Sequence, residues 1–221
     1  MWTGLAVALF LAQSPVPELI SKARQAMISG ELHTAEQLLQ QAVTAEPKAN
    51  TARFLLGFCF YLENDFASAE KTLAAADPKD ARVNLYRALA QEGLGRTDDA
   101  IEFYKRASSS DSRNTEIHAA WARLLRKRGD PMTAEALVDQ ALAIEPANRD
   151  LLYLKGQCLF DRGEYAKAAG AGERALTAQG AAPSEREVRF LLARAWLKAG
   201  DPARAANHRK VFESLPMPLV R

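Results

Sequence analysis

The sequence predicts an all-α chain: an α-solenoid of about six helix-turn-helix hairpins wound into a superhelix. Three observations carry that prediction. Small residues recur at a nearly fixed spacing, a glycine or asparagine stands five positions before each, and prolines close most of the repeats. The pattern is plainest in GRTDDAIEFYKRA, Gly95 to Ala107, where Gly95 precedes Ala100 by five positions and Ala107 follows it by seven.

Aligned on Ala100, the equivalent alanines are Ala35, Ala69, Ala134, Ala168 and Ala205, with successive steps of 34, 31, 34, 34 and 37 residues. Five positions earlier stand Gly30, Asn64, Gly95, Gly129, Gly163 and Gly200. Seven positions later stand Ala42, Ala76, Ala107, Ala141, Ala175 and then Phe212. Twelve positions before each alignment point is Ala23, Gly57, Ala88, Ala122, Gly156 or Ala193. Each unit therefore reads as two antiparallel helices. The first carries a small residue where the second crosses it, so that the backbones can approach. The glycine ends the first helix because it can take a positive φ. The alanines of the second helix share one face. Leu39, Leu73, Phe103, Tyr104 and Val138 fill the space to the next unit, and Pro47, Pro78, Pro146 and Pro216 close most units. One hairpin cannot bury its own apolar face, whereas stacked neighbours can.

In order, the units run over about 16–49, 50–80, 81–114, 115–148, 149–185 and 186–219. The second has a shortened second helix in LAAADPKD, and the 37-residue step spans the loop TAQGAAPSE. Gly170–Glu173 (GAGE) lies inside a second helix and lacks the Lys and Ser/Thr of a phosphate loop. It reads as a closely packed helix segment or as a hinge between units. In the last unit the second helix, near Ala203–Ser214, reads as a polar cap. Arg209 stands there at the position of Leu39, Leu73, Tyr104 and Val138, flanked by Asn207, His208 and Lys210.

Small residues at four registers in six units resemble the tetratricopeptide repeat family, over roughly Val16 to Leu219. Three positions depart from the family pattern. Lys22 replaces a large apolar residue, Gln91 stands at a usual aromatic site, and Phe212 stands where an alanine is expected. The resemblance implies a concave surface built by the first helices, where members of the family bind peptides or partner proteins. Carried over position by position, the groove registers fall on Phe54, Phe58 and Tyr61, then Leu85 and Leu89. They continue with Ala119, Arg123 and Arg126, then Tyr153, Gln157 and Phe160, and end with Phe190, Arg194 and Leu197. The aromatics read either as core or as exposed groove. Arg123 and Arg126 read either as ligand contacts or as a solvated helix end, where cations are favoured. Phe58, Leu89, Arg123 and Gln157 occupy the register at which carboxylate-clamping members carry Asn, so a clamp of that kind is not expected.

Composition narrows the function. The chain has 221 residues, 48% apolar and 25% charged, with a formal net charge of +2. A near-neutral balance gives no basic face for nucleic acid, and a helical-repeat RNA reader fits the 34-residue period poorly. Cys59 and Cys158 occupy the same register of first helices three units apart and read as buried small residues, unpaired with each other. His33, His118 and His208 are spread over the first, fourth and last units, so no metal set is expected. No catalytic set and no cofactor site is expected either. The expectation is a non-enzymatic interaction scaffold or adaptor with a protein or peptide partner. The alternative is an accessory or regulatory subunit of an enzyme, transport or secretion complex.

The N-terminus stands apart. MWTGLAVALFLAQSPVP has no charged side chain and an apolar run from Leu5 to Ala12, too short for a membrane span and of the length of a secretory h-region. Residues 1–14 are read as a signal peptide, which would make the chain periplasmic or secreted. An uncleaved anchor and a loose apolar tail are the other readings, and without a signal the chain would be cytoplasmic.

Overall fold

The computed structural model describes residues 14–180 and 182–216. Most of the leader (1–13) and the end of the last predicted unit (217–219) lie outside the described residues. Among those described, twelve helices follow one another: α1 Val16–Ile28, α2 Leu32–Ala45, α3 Asn50–Leu62, α4 Phe66–Ala74, α5 Ala81–Gly93, α6 Thr97–Ser110, α7 Thr115–Lys127, α8 Pro131–Ile144, α9 Arg149–Asp161, α10 Tyr165–Thr177, α11 Glu185–Lys198 and α12 Pro202–Ser214. The only β pairing among the described residues is an isolated bridge between Asn148 and Gln179. The chain is an all-α solenoid of helical hairpins, and it divides after Phe103, within α6, into two compact units.

The turn inside each hairpin follows from one backbone device. Gly30, Gly95, Gly129, Gly163 and Gly200 have φ between 73 and 88°, and Asn64 takes the same left-handed conformation at 61°. With the chain reversed there, the residue after the turn donates its N–H to a carbonyl five residues back. Examples are Asp65 to Phe60 (2.9 Å), Asp130 to Leu125 (2.9 Å) and Asp201 to Trp196 (2.9 Å). This satisfies carbonyls that a helix end otherwise leaves unpaired. The second helices α2 and α10 start at Glu31 and Glu164 without a side-chain cap. In three hairpins the second helix starts on an aspartate cap: Asp65 accepts from Ser68 N–H, Asp130 from Thr133 and Asp201 from Arg204. Asn114 and Asn148 cap α7 and α9 in the same way, and Ser184 with Glu187 forms a capping box on α11.

In the first unit α1 packs on α2, α2 on α3, α3 on α4 and α4 on α5, and the first helices also touch in sequence, α1 to α3 and α3 to α5. Their core holds Ala23, Ala35, Leu39, Ala42, Leu56, Cys59 and Leu73. Gly57 shows why small residues recur: a Cβ there would lie 2.5 Å from Leu73 Cγ. In the second unit the same order links α7 through α12, with α7 touching α9 and α9 touching α11. Leu152, Ala168, Ala169, Ala175, Val188 and Leu192 lie in a core cluster of α9–α11. A Cβ on Gly156 would come within 3.2 Å of the Ala168 carbonyl oxygen, and one on Gly172 within 2.9 Å of Leu192. Gly172 of the GAGE segment is thus a packing site of α10 against α11, while Gly170 is exposed.

Candidate functional site

The predicted surface residues fall into two groups, one in each unit. In the first unit Phe54, Phe58 and Tyr61 of α3 gather around Tyr86 of α5. The ring centroids of Tyr86 lie 5.8 Å from Phe54, 4.7 Å from Phe58 and 5.3 Å from Tyr61. Phe54 stacks on Phe58 at 6.3 Å, and Tyr61 meets Phe66 of α4 at 5.9 Å. Phe54 is buried, while Phe58, Tyr61, Tyr86 and Leu89 are half-buried. Leu85, at 1% exposure, is core. Tyr86, one position after Leu85, is the ring that organises this cluster. Register reasoning missed it, because adjacent helix positions point about 100° apart.

In the second unit the first helices α7, α9 and α11 lie side by side. Arg123 donates to Asp150, and Arg126 donates to Asp161 at 2.9 Å. Both α7 arginines are therefore neutralised by carboxylates of α9, at positions 27 and 35 residues on. The sequence held that signal as opposite charges about one repeat apart. Arg123 and Asp150 also line a hollow of about 340 Å³ with Thr115, Glu116 and Asn148. Tyr153 is half-buried and hydrogen-bonded to Gln157. Burial raises its phenol pKa, with Glu187 acting in the same direction, while Gln157, Arg126 and Arg194 oppose it. Phe160 meets Tyr165 at 5.2 Å. Arg194 of α11 lies over the Phe160 ring at 4.5 Å and over Phe190 at 5.5 Å, and has no carboxylate partner among the described residues. Arg126, Tyr153, Gln157, Phe160, Phe190 and Arg194 thus form one partly exposed row. The buried Ala119 lies in α7, outside this row.

The nucleophiles and imidazoles lie elsewhere. Burial pushes the Cys59 thiol up to about 11 and the Cys158 thiol up to about 12, so neither supplies thiolate near neutral pH. His118 is enclosed between α6 and α7. The predicted polar cap is corrected at His208. Its side chain turns inward, with Nε2 2.9 Å from Glu173 and Nδ1 3.0 Å from an Arg189 nitrogen. Arg209 does stay on the outside, paired with Glu213. No group of three metal-ligating side chains occurs among the described residues, and no described helix is long and apolar enough to cross a membrane.

Comparison with known proteins places this geometry. Two models of the tetratricopeptide repeat match the chain, one over residues 26–93 and one over 119–183. The chain belongs to the tetratricopeptide repeat family. No curated protein matches its sequence. Solved structures of tetratricopeptide and other helical proteins share its fold. A tetratricopeptide repeat protein from Parabacteroides merdae is 20% identical, with a TM-score of 0.74 over 92% of this chain and 80% of that one. PilW, a type IV pilus biogenesis factor, is 14% identical, with a TM-score of 0.78 over 92% and 94%. The pilF protein of Pseudomonas aeruginosa is 16% identical, with a TM-score of 0.76 over 90% of each chain. At these identities the likeness concerns the fold.

Proposed function

We propose that this tetratricopeptide repeat protein is a non-enzymatic scaffold that binds a segment of a partner protein on the faces of its first helices. The observation that carries the reading is the row on α7, α9 and α11. There Tyr153, Gln157, Phe160, Phe190 and Arg194 stand partly exposed together, and the Arg194 guanidinium rests on two rings. Aromatic and arginine side chains most often carry interface energy, and a guanidinium held flat recognises a carboxylate in two-point contact. Since Arg123 and Arg126 already hold Asp150 and Asp161, Arg194 is the residue offered to an acidic group. An apolar segment bearing a carboxylate fits this row. The apolar run Leu5–Ala12 supports an exported location as part of the same proposal.

The test is affinity capture with the full chain, followed by mass spectrometry and repeated with the Tyr153→Ala, Gln157→Ala double variant. A partner enriched by the parent and lost from the double variant is expected, with capture run at a temperature where circular dichroism shows both chains folded, because Tyr153 also packs on the α9–α11 core. Equal recovery by both would remove the row from the site. The stoichiometry distinguishes an adaptor, with varied partners below one to one, from an accessory subunit held in a fixed complex. Fold likeness to a pilus biogenesis factor is compatible with the latter.

A further inference from the structure

The last hairpin leaves open a seat that the hairpin before it has filled. In α9–α10 the occupant is α11. A Cβ on Gly156 would lie 2.9 Å from Leu191 Cδ2, and one on Gly172 would lie 2.9 Å from Leu192 Cδ2. The equivalent positions in α11–α12 are Ala193 and Arg209. Between these two helices lies an open cleft of about 420 Å³, which Phe190, Leu197, Ala206 and Phe212 also line. Phe190 is 48% and Leu197 62% exposed, so the floor is apolar and uncovered, with two large apolar side chains exposed side by side on one helix. The rim carries Arg194, Arg209 and Glu213. Arg209 is paired with Glu213 at 2.8 Å, which leaves Arg194 as the cation of the rim. Arg194 has no carboxylate among the described residues. Arg186, over the Phe212 ring at 4.1 Å, donates to the carbonyls of Phe212 and Leu215.

We propose that the α11–α12 cleft is the docking seat for one amphipathic helix of a partner protein, carrying two adjacent large aliphatic residues with a carboxylate beside them. The aliphatic pair takes the place that Leu191 and Leu192 take on α9–α10, and the carboxylate beside it meets Arg194, since Arg209 already holds Glu213. A second copy of this chain stacked head to tail does not fit. The α1 positions equivalent to Leu191 and Leu192 are Ser21 and Lys22, which would bring a hydroxyl and a cation to an apolar, cationic seat. The assignment rests on the scaffold reading above, since Phe190 and Arg194 serve both, and it extends that reading to α12.

The probe is a fluorescent, helix-stapled peptide of the α11 sequence carrying Arg189→Glu and Arg194→Glu, titrated with the full chain and read by anisotropy. It presents the leucine pair with added carboxylates. Saturable binding is expected, weakening when ionic strength is raised from about 0.01 M to about 0.15 M. In the chain, Ala206→Trp fills the cleft and Arg194→Glu reverses its rim. Each is expected to weaken binding by about tenfold or more. Both positions are exposed, so thermal melts should stay with the parent. No binding at about 1 mM chain, or binding that both variants retain, would overturn the proposal. So would a dimer in sedimentation that Ala206→Trp dissolves, because the cleft would then belong to a second copy. Failure here leaves the row reading intact. Tyr153 and Gln157 do not line the cleft, and the capture experiment tests them separately.

Discussion

His118 shows how one enclosed side chain ties stability to pH. It is 2% exposed, its Nε2 lies 3.3 Å from Ser108 Oγ, and its Nδ1 has no partner among the described residues. Burial holds the imidazole below its ordinary value near 6.5, with Asp111 pulling weakly the other way. The folded chain therefore keeps this histidine neutral at a pH where the unfolded chain begins to protonate it. Stability from this group is complete above about pH 6.5 and is lost as pH falls through the lower folded value. The capping carboxylates Asp65, Asp80 and Asp130 are held below their ordinary values by the hydrogen bonds they accept. Their stability is lost only at lower pH, so the two contributions occupy separate windows. Urea midpoints between about pH 7 and pH 5 should fall for the parent and stay flatter for His118→Gln. Parallel curves would show that the imidazole does not control this limb.

At the scale of the element, the turn between the two helices of a hairpin is the device on which the fold depends, and Asn64 tests it. Its φ of 61° matches the five glycines at the same register. A side chain other than Asn or Asp in that conformation costs about 1–2 kcal/mol. Asn64→Ala should therefore lower stability by about 1 kcal/mol, and Asn64→Gly should cost nothing. Equal melts for Asn64→Ala and the parent would show that this turn does not constrain the hairpin. These turns were legible in the sequence because their constraint is local and steric, so only Gly or Asn recurs there. The close crossings were legible for the same reason, since Gly57 and Gly156 have no room for a larger residue. The site was harder to read. Register alone assigns Leu85 to the surface but does not show that α5 sets Tyr86 among the rings of α3 instead. Nor does it show that the cations of α7 are taken up by Asp150 and Asp161, because that pairing exists only once α7 and α9 are side by side. The outer face of α12 misleads in a similar way. Arg209 and Lys210 give it a polar sequence, but Pro202, Ala206 and Phe212 line an apolar cleft with Phe190 and Leu197.

At the scale of the whole molecule, the substantial helix contacts within each unit, among the described residues, join sequence neighbours or successive first helices. A chain assembled this way has a stability that is approximately a sum of hairpin terms and nearest-neighbour interfaces. Damage at one interface should then remain near it. Leu192 is the place to test this, because it is fully buried, lies against Gly172 and belongs to the α9–α11 core cluster. Leu192→Ala removes that contact and leaves a cavity, at a cost of about 2–5 kcal/mol. The loss should appear as faster native-state amide exchange in α9, α10 and α11. The amides of α1, α2 and α3, whose core is a separate cluster, should keep the parent's rates. α12 should follow α11, since it packs on that helix and His208 reaches Glu173 of α10. Hydrogen exchange followed by mass spectrometry resolves these segments directly. A uniform acceleration from α1 to α12 would mean that the chain opens as a single cooperative body, and the nearest-neighbour account would then fail.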